Sequence, residues 1–210
     1  MAVLPHITGV GLTAFGRHDG STAPGLMARA AQAALDDAGI ARGQIDGLLC
    51  GYATTLPHLM LSTLFAERFA LRPTYAHSLQ LGGATGCAML MLAGDLVRGG
   101  RCLRVLVVAG ENRLSGQARD TAIQTLAQVG DAEMEVPNGA SVPAYYALMA
   151  ARYLHETGTT EADLAALAVL MRQHAMAHPG AQLRTPLTEA EVLASKPIAT
   201  PLKLAEIGRA

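Results

Sequence analysis

Residues 78–112 read SLQLGGATGCAMLMLAGDLVRGGRCLRVLVVAGEN, and this stretch decides the fold. A short apolar run meets the pair Gly82 and Gly83, and the alanine-, methionine- and leucine-rich segment that follows predicts a helix over 83–98. The Val/Leu run at 103–109 is typical of a central strand covered on both faces. A strand, a glycine turn, a helix and a strand in this order indicate an α/β fold with a mostly parallel sheet.

The residues before this stretch continue the alternation of strands and helices. The apolar, glycine-bounded segment 7–12 predicts a first strand, and helical spacing predicts a helix over 22–38 that ends at Gly39. Further along, a strand is predicted over 45–52, a helix over 58–69 and a short strand over 74–79. Because ligands in such folds gather at the carboxyl ends of strands, the turn at Gly82 and Gly83 is the first candidate site.

The second half of the chain has a different character. Residues 112–140 are polar, glycine-containing and irregular. The segments after them predict helices over 143–156, 160–178 and 188–195, and then a short edge strand or an extended passage over 197–204. Thr160 with Asp163, and Thr188 with Glu191, form capping-box-like starts.

This change of character predicts the domain organisation. We expect an α/β core over 1–111, an inserted helical loop domain over 112–195 and a return to the sheet over 196–210. The chain has 210 residues, half of them hydrophobic and 16% charged, with a net charge of −1. The absence of a basic stripe and the few aromatics exclude a nucleic-acid surface. A near-neutral, apolar chain of this kind often buries part of its surface in an oligomer.

Compartment and metal content follow from the cysteines and histidines. Three scattered cysteines without a CxxC pair indicate free thiols in a reducing, cytoplasmic compartment. The first residues lack the pattern of a signal peptide, and no apolar run of about 18 residues predicts a membrane span. His174 and His178 lie four residues apart, but with no third ligand nearby we predict no metal site.

Cys87 raises the question whether the glycine turn holds a nucleophile. A thiol is best activated at a helix N-terminus, where the macrodipole and free N–H groups lower its pKa. Cys87 follows Gly83 by about 6 Å along the helix axis, and its helical neighbours Leu90 and Met91 are apolar. We therefore expect a buried core cysteine, with catalysis as the less favoured interpretation. The stretch LGGATG also lacks the lysine of a P-loop.

Three long segments, taken in order, resemble the N-terminal half of a thiolase of the sterol-carrier-protein thiolase-like subgroup. They are residues 7–52, 81–112 and 164–204. The resemblance implies a thiolase-like layered α/β/α fold and chemistry at a C–C bond of an acyl-CoA. Coenzyme A thioester would be the substrate, with no permanently bound cofactor. It also implies a second, similar half, beyond residue 210, that brings the catalytic histidine and the second cysteine.

The resemblance departs from the family at the residue that defines the chemistry. The family's nucleophilic cysteine stands just before a small-x-Gly step, and with Thr85–Gly86 as that step its place is held by Gly83. Glycine cannot carry an acyl group, so acyl transfer by the usual covalent route is in doubt. Thiolase-like proteins without the cysteine resemble retro-aldolases that cleave β-hydroxyacyl-CoA and act with a small partner domain. A thiolase-like acyltransferase, a retro-aldolase and a non-catalytic subunit of a complex stay open.

The remaining candidates each have a structural alternative. His77 precedes the glycine turn and could face the site or serve the fold. The resemblance places Tyr145 and Tyr146 at the pantetheine tunnel, although a core or interface role is the simpler explanation. Glu111 could touch a ligand or anchor the loop that follows. Family members usually dimerise through the strand at 74–79, so we predict a homodimer.

Overall fold

A three-stranded parallel sheet organises the first part of the chain. The computed structural model describes residues 4–116, 118–139 and 141–207, and the chain divides into two units, Met1–Ala118 and Arg119–Ala210. In the first unit the strands are β1 (Gly47–Gly51), β2 (Tyr75–Leu79) and β3 (Val105–Val108). Their order is β2-β1-β3, and both pairings are parallel. The predicted α/β class and the mostly parallel sheet are confirmed.

The central strand is β1, which corrects the prediction for 103–109. All five residues of β1 are buried, whereas β3 alternates between half-buried and buried positions. Within the described residues β3 has β1 as its only neighbour and so lies at an edge. The Val/Leu run of β3 is as apolar as a central strand, and composition alone does not distinguish a central strand from an edge strand that helices cover.

Helices cover both faces of this sheet. They are α1 (Ala23–Ala38), α2 (Leu61–Arg68) and α3 (Thr85–Arg98). Leu48 and Cys50 of β1 pack with residues of α1 and α2, whereas Leu49 packs with Met89 of α3. This alternation follows from the two-residue period of a strand, and it places α1 and α2 on one face and α3 on the other.

The first helix forms as its sequence predicts. Thr22 is the N-cap, and its side chain accepts a hydrogen bond from the backbone N–H of Gly25 at 3.2 Å. Pro24 lies in the first turn, where its missing N–H costs nothing. Gly39 ends the helix in the left-handed conformation at φ 64°, which glycine adopts without strain. The predicted helix over 22–38 is confirmed.

The predicted strand over 7–12 is wrong. This segment has no strand partner among the described residues, and the side chains of Ile7 and Val10 are 76% and 67% exposed. Its glycines instead lie against α1, where an added Cβ at Gly9 or Gly11 would overlap backbone atoms of that helix. The backbone N–H of Val10 donates to Oδ2 of Asp37 at 2.9 Å. The Asp37 carboxylate therefore accepts the hydrogen bond that a neighbouring strand would accept in a sheet.

Between the sheet and the long helices the chain is more regular than predicted. The segment expected to be irregular contains α4 (Arg113–Gly116), α5 (Arg119–Ala127) and a 3₁₀ turn over Val136–Asn138. No described residue of α5 is fully buried, and Ile123 is 53% exposed. A helix without a buried apolar stripe leaves no periodic signal in the sequence.

The second unit is mainly helical. Its main elements are α6 (Val142–Thr157), α7 (Glu161–Ala177), α8 (Glu189–Ala194) and an antiparallel pair, β4 (Pro197–Ala199) with β5 (Leu202–Lys203). The capping boxes of α7 and α8 are both present, which confirms these two helix starts. The three-part division at 111 and 195 stays a prediction. None of the helices in the described ranges is long and apolar enough to cross a membrane.

Candidate active site

The glycine turn links β2 to α3 and is held by one threonine. A 3₁₀ turn over Gly82–Ala84 leads directly into α3, so the α-helix begins at Thr85 rather than at Gly83 as predicted. The buried Thr85 hydroxyl accepts from the backbone N–H of Leu81 at 2.9 Å and donates to the carbonyl of Gly82 at 2.7 Å. Gly82 has φ 56°, which favours glycine. Thr85 thus fixes the shape of the turn.

Gly83 is not required by the backbone or by packing. Its φ is not positive, and a Cβ added there would meet nothing within 4 Å. A side chain would therefore fit at this position. The resemblance assigns the nucleophile to this place, and the open space beside Gly83 leaves the backbone of the turn accessible.

Cys87 lies on the outer face of α3, and the prediction of a buried cysteine is wrong. The buried positions of α3 are Thr85, Met89, Gly94 and Leu96. Cys87 is exposed and shares the opposite face with Leu90 and Met91, which are 52% and 70% exposed. Because α3 carries apolar side chains on both faces, the apolar neighbours of Cys87 did not indicate burial.

The other two cysteines belong to the core. Cys50 in β1 and Cys102 before β3 are buried. Burial raises the pKa of the Cys50 thiol to about 12. Burial, and then the negative charge of Asp46, raise the pKa of the Cys102 thiol. Neither thiol is suited to nucleophilic chemistry at neutral pH.

A cavity of about 200 Å³ lies at the carboxyl ends of β1 and β3, beside the first turns of α3. Its lining comprises Gly51, Tyr52, Thr85, Gly86, Met89, Ala109, Glu111 and Arg113. Gly51 allows a close approach, because a Cβ there would stand 2.8 Å from Cβ of Ala109 and 3.2 Å from Cε of Met89. The walls near the sheet and α3 are apolar, whereas Glu111 and Arg113 bring charge to the lining.

Glu111 anchors the loop that follows β1. Its Oε1 accepts from the backbone N–H of Thr54, and its Oε2 accepts from the backbone N–H of Thr55 at 3.3 Å and from the Thr55 hydroxyl at 3.0 Å. Arg113 adds a bond from Nε to the Thr54 hydroxyl at 3.1 Å. Both oxygens of Glu111 therefore bind protein groups. Glu111 therefore anchors the loop after β1, whereas the predicted target was the loop that follows Glu111 itself.

The neighbouring Asn112 connects the segment after β3 to the loop before α1. Its side-chain Nδ2 donates to the carbonyls of His18 at 3.0 Å and Ser21 at 2.8 Å. Asn112 is buried, and its Oδ1 has no hydrogen-bond partner. Three consecutive residues after β3 thus position two loops. Thr54, Thr55 and Arg113 were not predicted as site residues, and the position of Arg113 two residues after the predicted site residue Glu111 was the one signal that could have found it.

The predicted tyrosines and histidine lie elsewhere. His77 is exposed in the middle of β2, with its ring centroid 6.4 Å from that of Tyr75. In the second unit, the Tyr145 hydroxyl donates to Oε2 of Glu135 at 3.1 Å, and burial together with this carboxylate raises the pKa of Tyr145. Tyr146 is 60% exposed. Of the predicted site residues, Glu111 alone lines the cavity.

The described residues contain no cluster of three or more His, Cys, Asp or Glu side chains that could hold a metal ion. His178 is the C-cap of α7, and its Nδ1 accepts from the backbone N–H of Gly180 at 3.1 Å. This contact gives His178 a local structural role.

The chain is similar in sequence to proteins named as an aldolase and as an acetyl-CoA acetyltransferase. No protein-family model matches the chain. It is 31% identical over 217 residues to a steroid side-chain-cleaving aldolase of Thermomonospora curvata, with 97% of this chain and 54% of the relative covered. It is 30% identical over 201 residues to an acetyl-CoA acetyltransferase of Methanocaldococcus jannaschii, with 94% and 50% covered.

Among solved structures, the chain is similar to the Ltp2-ChsH2(DUF35) aldolase. The TM-score is 0.78 at 28% identity, with 97% of this chain and 52% of that chain covered. The chain therefore spans about half the length of the relatives that it matches.

Proposed function

We propose that this chain, which belongs to the thiolase superfamily, forms part of an enzyme that acts on a C–C bond of an acyl-CoA thioester. The relatives support this range of chemistry, because one is named an acetyl-CoA acetyltransferase and another a steroid side-chain-cleaving aldolase. Both names describe the relatives. For this chain the choice between transfer and aldol cleavage depends on the glycine turn.

The observation that carries the proposal is the open position at Gly83. A side chain would fit there without a clash, so the fold does not require the glycine. Cys87 is the one cysteine on α3, and it follows Gly83 by four residues on the helix face turned away from the sheet. We infer that the reaction proceeds without an acyl-cysteine at this turn, which favours retro-aldol cleavage of a β-hydroxyacyl-CoA.

The proposed step balances without a covalent intermediate. A base removes the proton of the β-hydroxyl group, the bond between Cα and Cβ breaks, and a ketone or aldehyde leaves. The electron pair of that bond forms a thioester enolate, which is stabilised by hydrogen-bond donors and then protonated at Cα. The exposed backbone at Gly83 is our candidate for such donors. By the resemblance the base belongs to the second thiolase half.

Two further proposals concern the assembly. We infer a homodimer through β2, because β2 has β1 as its one neighbour among the described strands and thus presents an open edge. A small partner domain is suggested by the name of the Ltp2-ChsH2(DUF35) aldolase. Free thiols at Cys50, Cys87 and Cys102 fit a cytoplasmic location.

Substrate cleavage by the purified full-length protein tests the function. The protein is incubated with a β-hydroxyacyl-CoA, or with a β-ketoacyl-CoA plus free CoA, and products and intact protein mass are followed by mass spectrometry. We expect a shortened acyl-CoA and a carbonyl product from the hydroxyacyl substrate, no acyl adduct on the protein, and unchanged turnover in Cys87→Ala. An acyl adduct that is lost in Cys87→Ala would establish acyl transfer instead. Thioester binding without turnover of either substrate would favour the non-catalytic subunit.

A further inference from the structure

The Thr85 side chain binds the backbone at two points of the turn between β2 and α3. Its hydroxyl accepts from the N–H of Leu81 at 2.9 Å and donates to the carbonyl of Gly82 at 2.7 Å. Threonine is β-branched, so rotation about its χ1 is restricted. The Thr85 methyl carbon would stand 3.5 Å from a Cβ added at Gly51 in β1. The methyl group therefore lies on the sheet side, and the hydroxyl is held toward the turn.

The bond to Gly82 fixes the direction of the next N–H group. The carbonyl of Gly82 and the N–H of Gly83 belong to one trans, planar peptide unit, so the two groups point in opposite directions. The carbonyl faces Thr85, because it accepts from both the hydroxyl and the backbone N–H of that residue. The N–H of Gly83 therefore points away from Thr85 and out of the turn.

That N–H group is placed to donate to a ligand. Gly82 and Gly83 are the first two residues of the 3₁₀ turn, so the N–H of Gly83 has no acceptor inside the turn. Gly83 is exposed, and a Cβ added there would meet nothing within 4 Å. A hydroxyl that donates to a peptide carbonyl also polarises the peptide, which strengthens its N–H as a donor. Thr85 thus acts on both the direction and the strength of this donor.

We propose that Thr85 is a positioning residue for the reaction. Through the peptide between Gly82 and Gly83, it directs the Gly83 N–H to the enolate oxygen of the thioester. This inference rests on the proposed function and deepens it, since it assigns the orientation of the candidate donor to one side chain. Thr85 acts through the peptide, because its one O–H donates to Gly82.

The test uses variants of the full-length protein that separate the hydroxyl from the methyl group. Thr85→Val removes the hydroxyl and keeps the shape, whereas Thr85→Ser keeps the hydroxyl and removes the methyl group. Thr157→Val is the matched control in the other unit. The Thr157 hydroxyl also donates to a backbone carbonyl, that of Tyr153 at 2.7 Å, and accepts from a backbone N–H, that of Thr159 at 3.3 Å.

Cleavage of a β-hydroxyacyl-CoA gives kcat and KM, and calorimetric titration with acetyl-CoA gives the number of binding sites by which kcat is divided. Loss of one donor to a developing oxyanion lowers kcat about 10²–10³-fold. Thr85→Val keeps the Gly83 N–H but frees its direction, so we expect kcat per site to fall about ten- to a hundred-fold with KM unchanged. Thr85→Ser should restore most of the lost kcat, and Thr157→Val should match the wild type.

The Gly83 N–H is observed directly by NMR. Glycine labelled with ¹³C at the carbonyl and with ¹⁵N gives carbon–nitrogen correlations only at Gly–Gly peptides, which within residues 1–210 are Gly82–Gly83 and Gly99–Gly100. Gly83→Ala identifies the wanted signal by removing it. Acetyl-CoA, whose thioester oxygen stands in for the enolate oxygen, should move the Gly83 amide proton in the wild type and in Thr85→Ser, and less in Thr85→Val. The wild-type measurement keeps the test valid if Thr85→Val does not fold.

The outcomes separate this inference from the proposed function. If Thr85→Val keeps the kcat per site of the wild type, the inference is overturned and the proposed function stands. If acetyl-CoA binds to the wild type without moving the Gly83 signal, Gly83 is not the donor and the inference is overturned, whereas cleavage by the same protein would still support the proposed function. If the wild type cleaves no β-hydroxyacyl-CoA, the proposed function fails and this inference fails with it.

Discussion

Removal of the Glu111 carboxylate should loosen the candidate site, with an effect that the contacts allow us to estimate. Glu111→Ala removes the acceptor of two backbone N–H groups and of the Thr55 hydroxyl. Hydrogen bonds to a charged group contribute about 1.5–3 kcal/mol each when buried. These three are only partly buried, and one is long at 3.3 Å. We therefore expect a total loss of about 2–3 kcal/mol in the free energy of unfolding.

A double-mutant cycle isolates one of these bonds. Thr55→Val removes the hydroxyl and keeps the shape, and the cycle with Glu111→Ala should give a coupling energy of about 1 kcal/mol. Unfolding is followed in urea by circular dichroism. Glu67→Ala is the control, since Glu67 is an exposed carboxylate on α2 in the same unit, and it should stay within about 0.5 kcal/mol of the wild type.

Two results would refute this reasoning. A Glu111→Ala protein as stable as the control would mean that the loop after β1 is held by other contacts. A coupling energy near zero, with both single variants destabilised, would mean that Glu111 and Thr55 act on different parts of the unit and that the 3.0 Å bond contributes nothing.

Three further outcomes are expected. Gly11→Ala should destabilise the protein by about 1–3 kcal/mol, because its Cβ would overlap backbone atoms of α1, whereas Gly43→Ala enters open space and should not; equal urea midpoints would contradict the contact of segment 7–12 with α1. Cys87 should react with a thiol reagent in the native protein, whereas the buried Cys50 and Cys102 should react only after unfolding. Equal reaction rates of the three thiols in the native protein would disprove that burial pattern. Hydrogen bonds from Thr160 lower the pKa of Asp163, so the stability advantage of the wild type over Asp163→Asn should be present at pH 7 and shrink as the pH falls below about 4; a difference that does not change with pH would disprove the role of the carboxylate.

The local rules of helix ends predicted much of the fold. Thr22, Pro24 and Gly39 each act within a few residues of their own position, so the sequence of α1 contains both of its ends. The capping boxes before α7 and α8 are local in the same way. These sequence patterns predict the helix ends correctly because the capping residue and the backbone groups that it binds are close neighbours in the chain.

The errors have a shared physical cause, which is that burial depends on distant partners. Cys87 lies on a helix that is apolar on both faces, so periodicity could not identify the face that meets the sheet. Segment 7–12 has the composition of a strand, but its glycines fit against α1 and its N–H finds Asp37, 27 residues away from Val10. The hydrogen bond between Glu111 and Thr54 joins residues 57 positions apart, and no local sequence pattern predicts it.

The two adjacent glycines of the turn illustrate why the structure adds to the sequence. In the sequence Gly82 and Gly83 both suit a tight turn between a strand and a helix, and nothing local shows which of them the backbone requires. In the structure Gly82 alone has a positive φ, and Thr85 ties its carbonyl to the helix start. Gly83 has neither strain nor a crowded Cβ position. The fold therefore accounts for the first glycine and not for the second, which is why the proposed reaction is argued from Gly83.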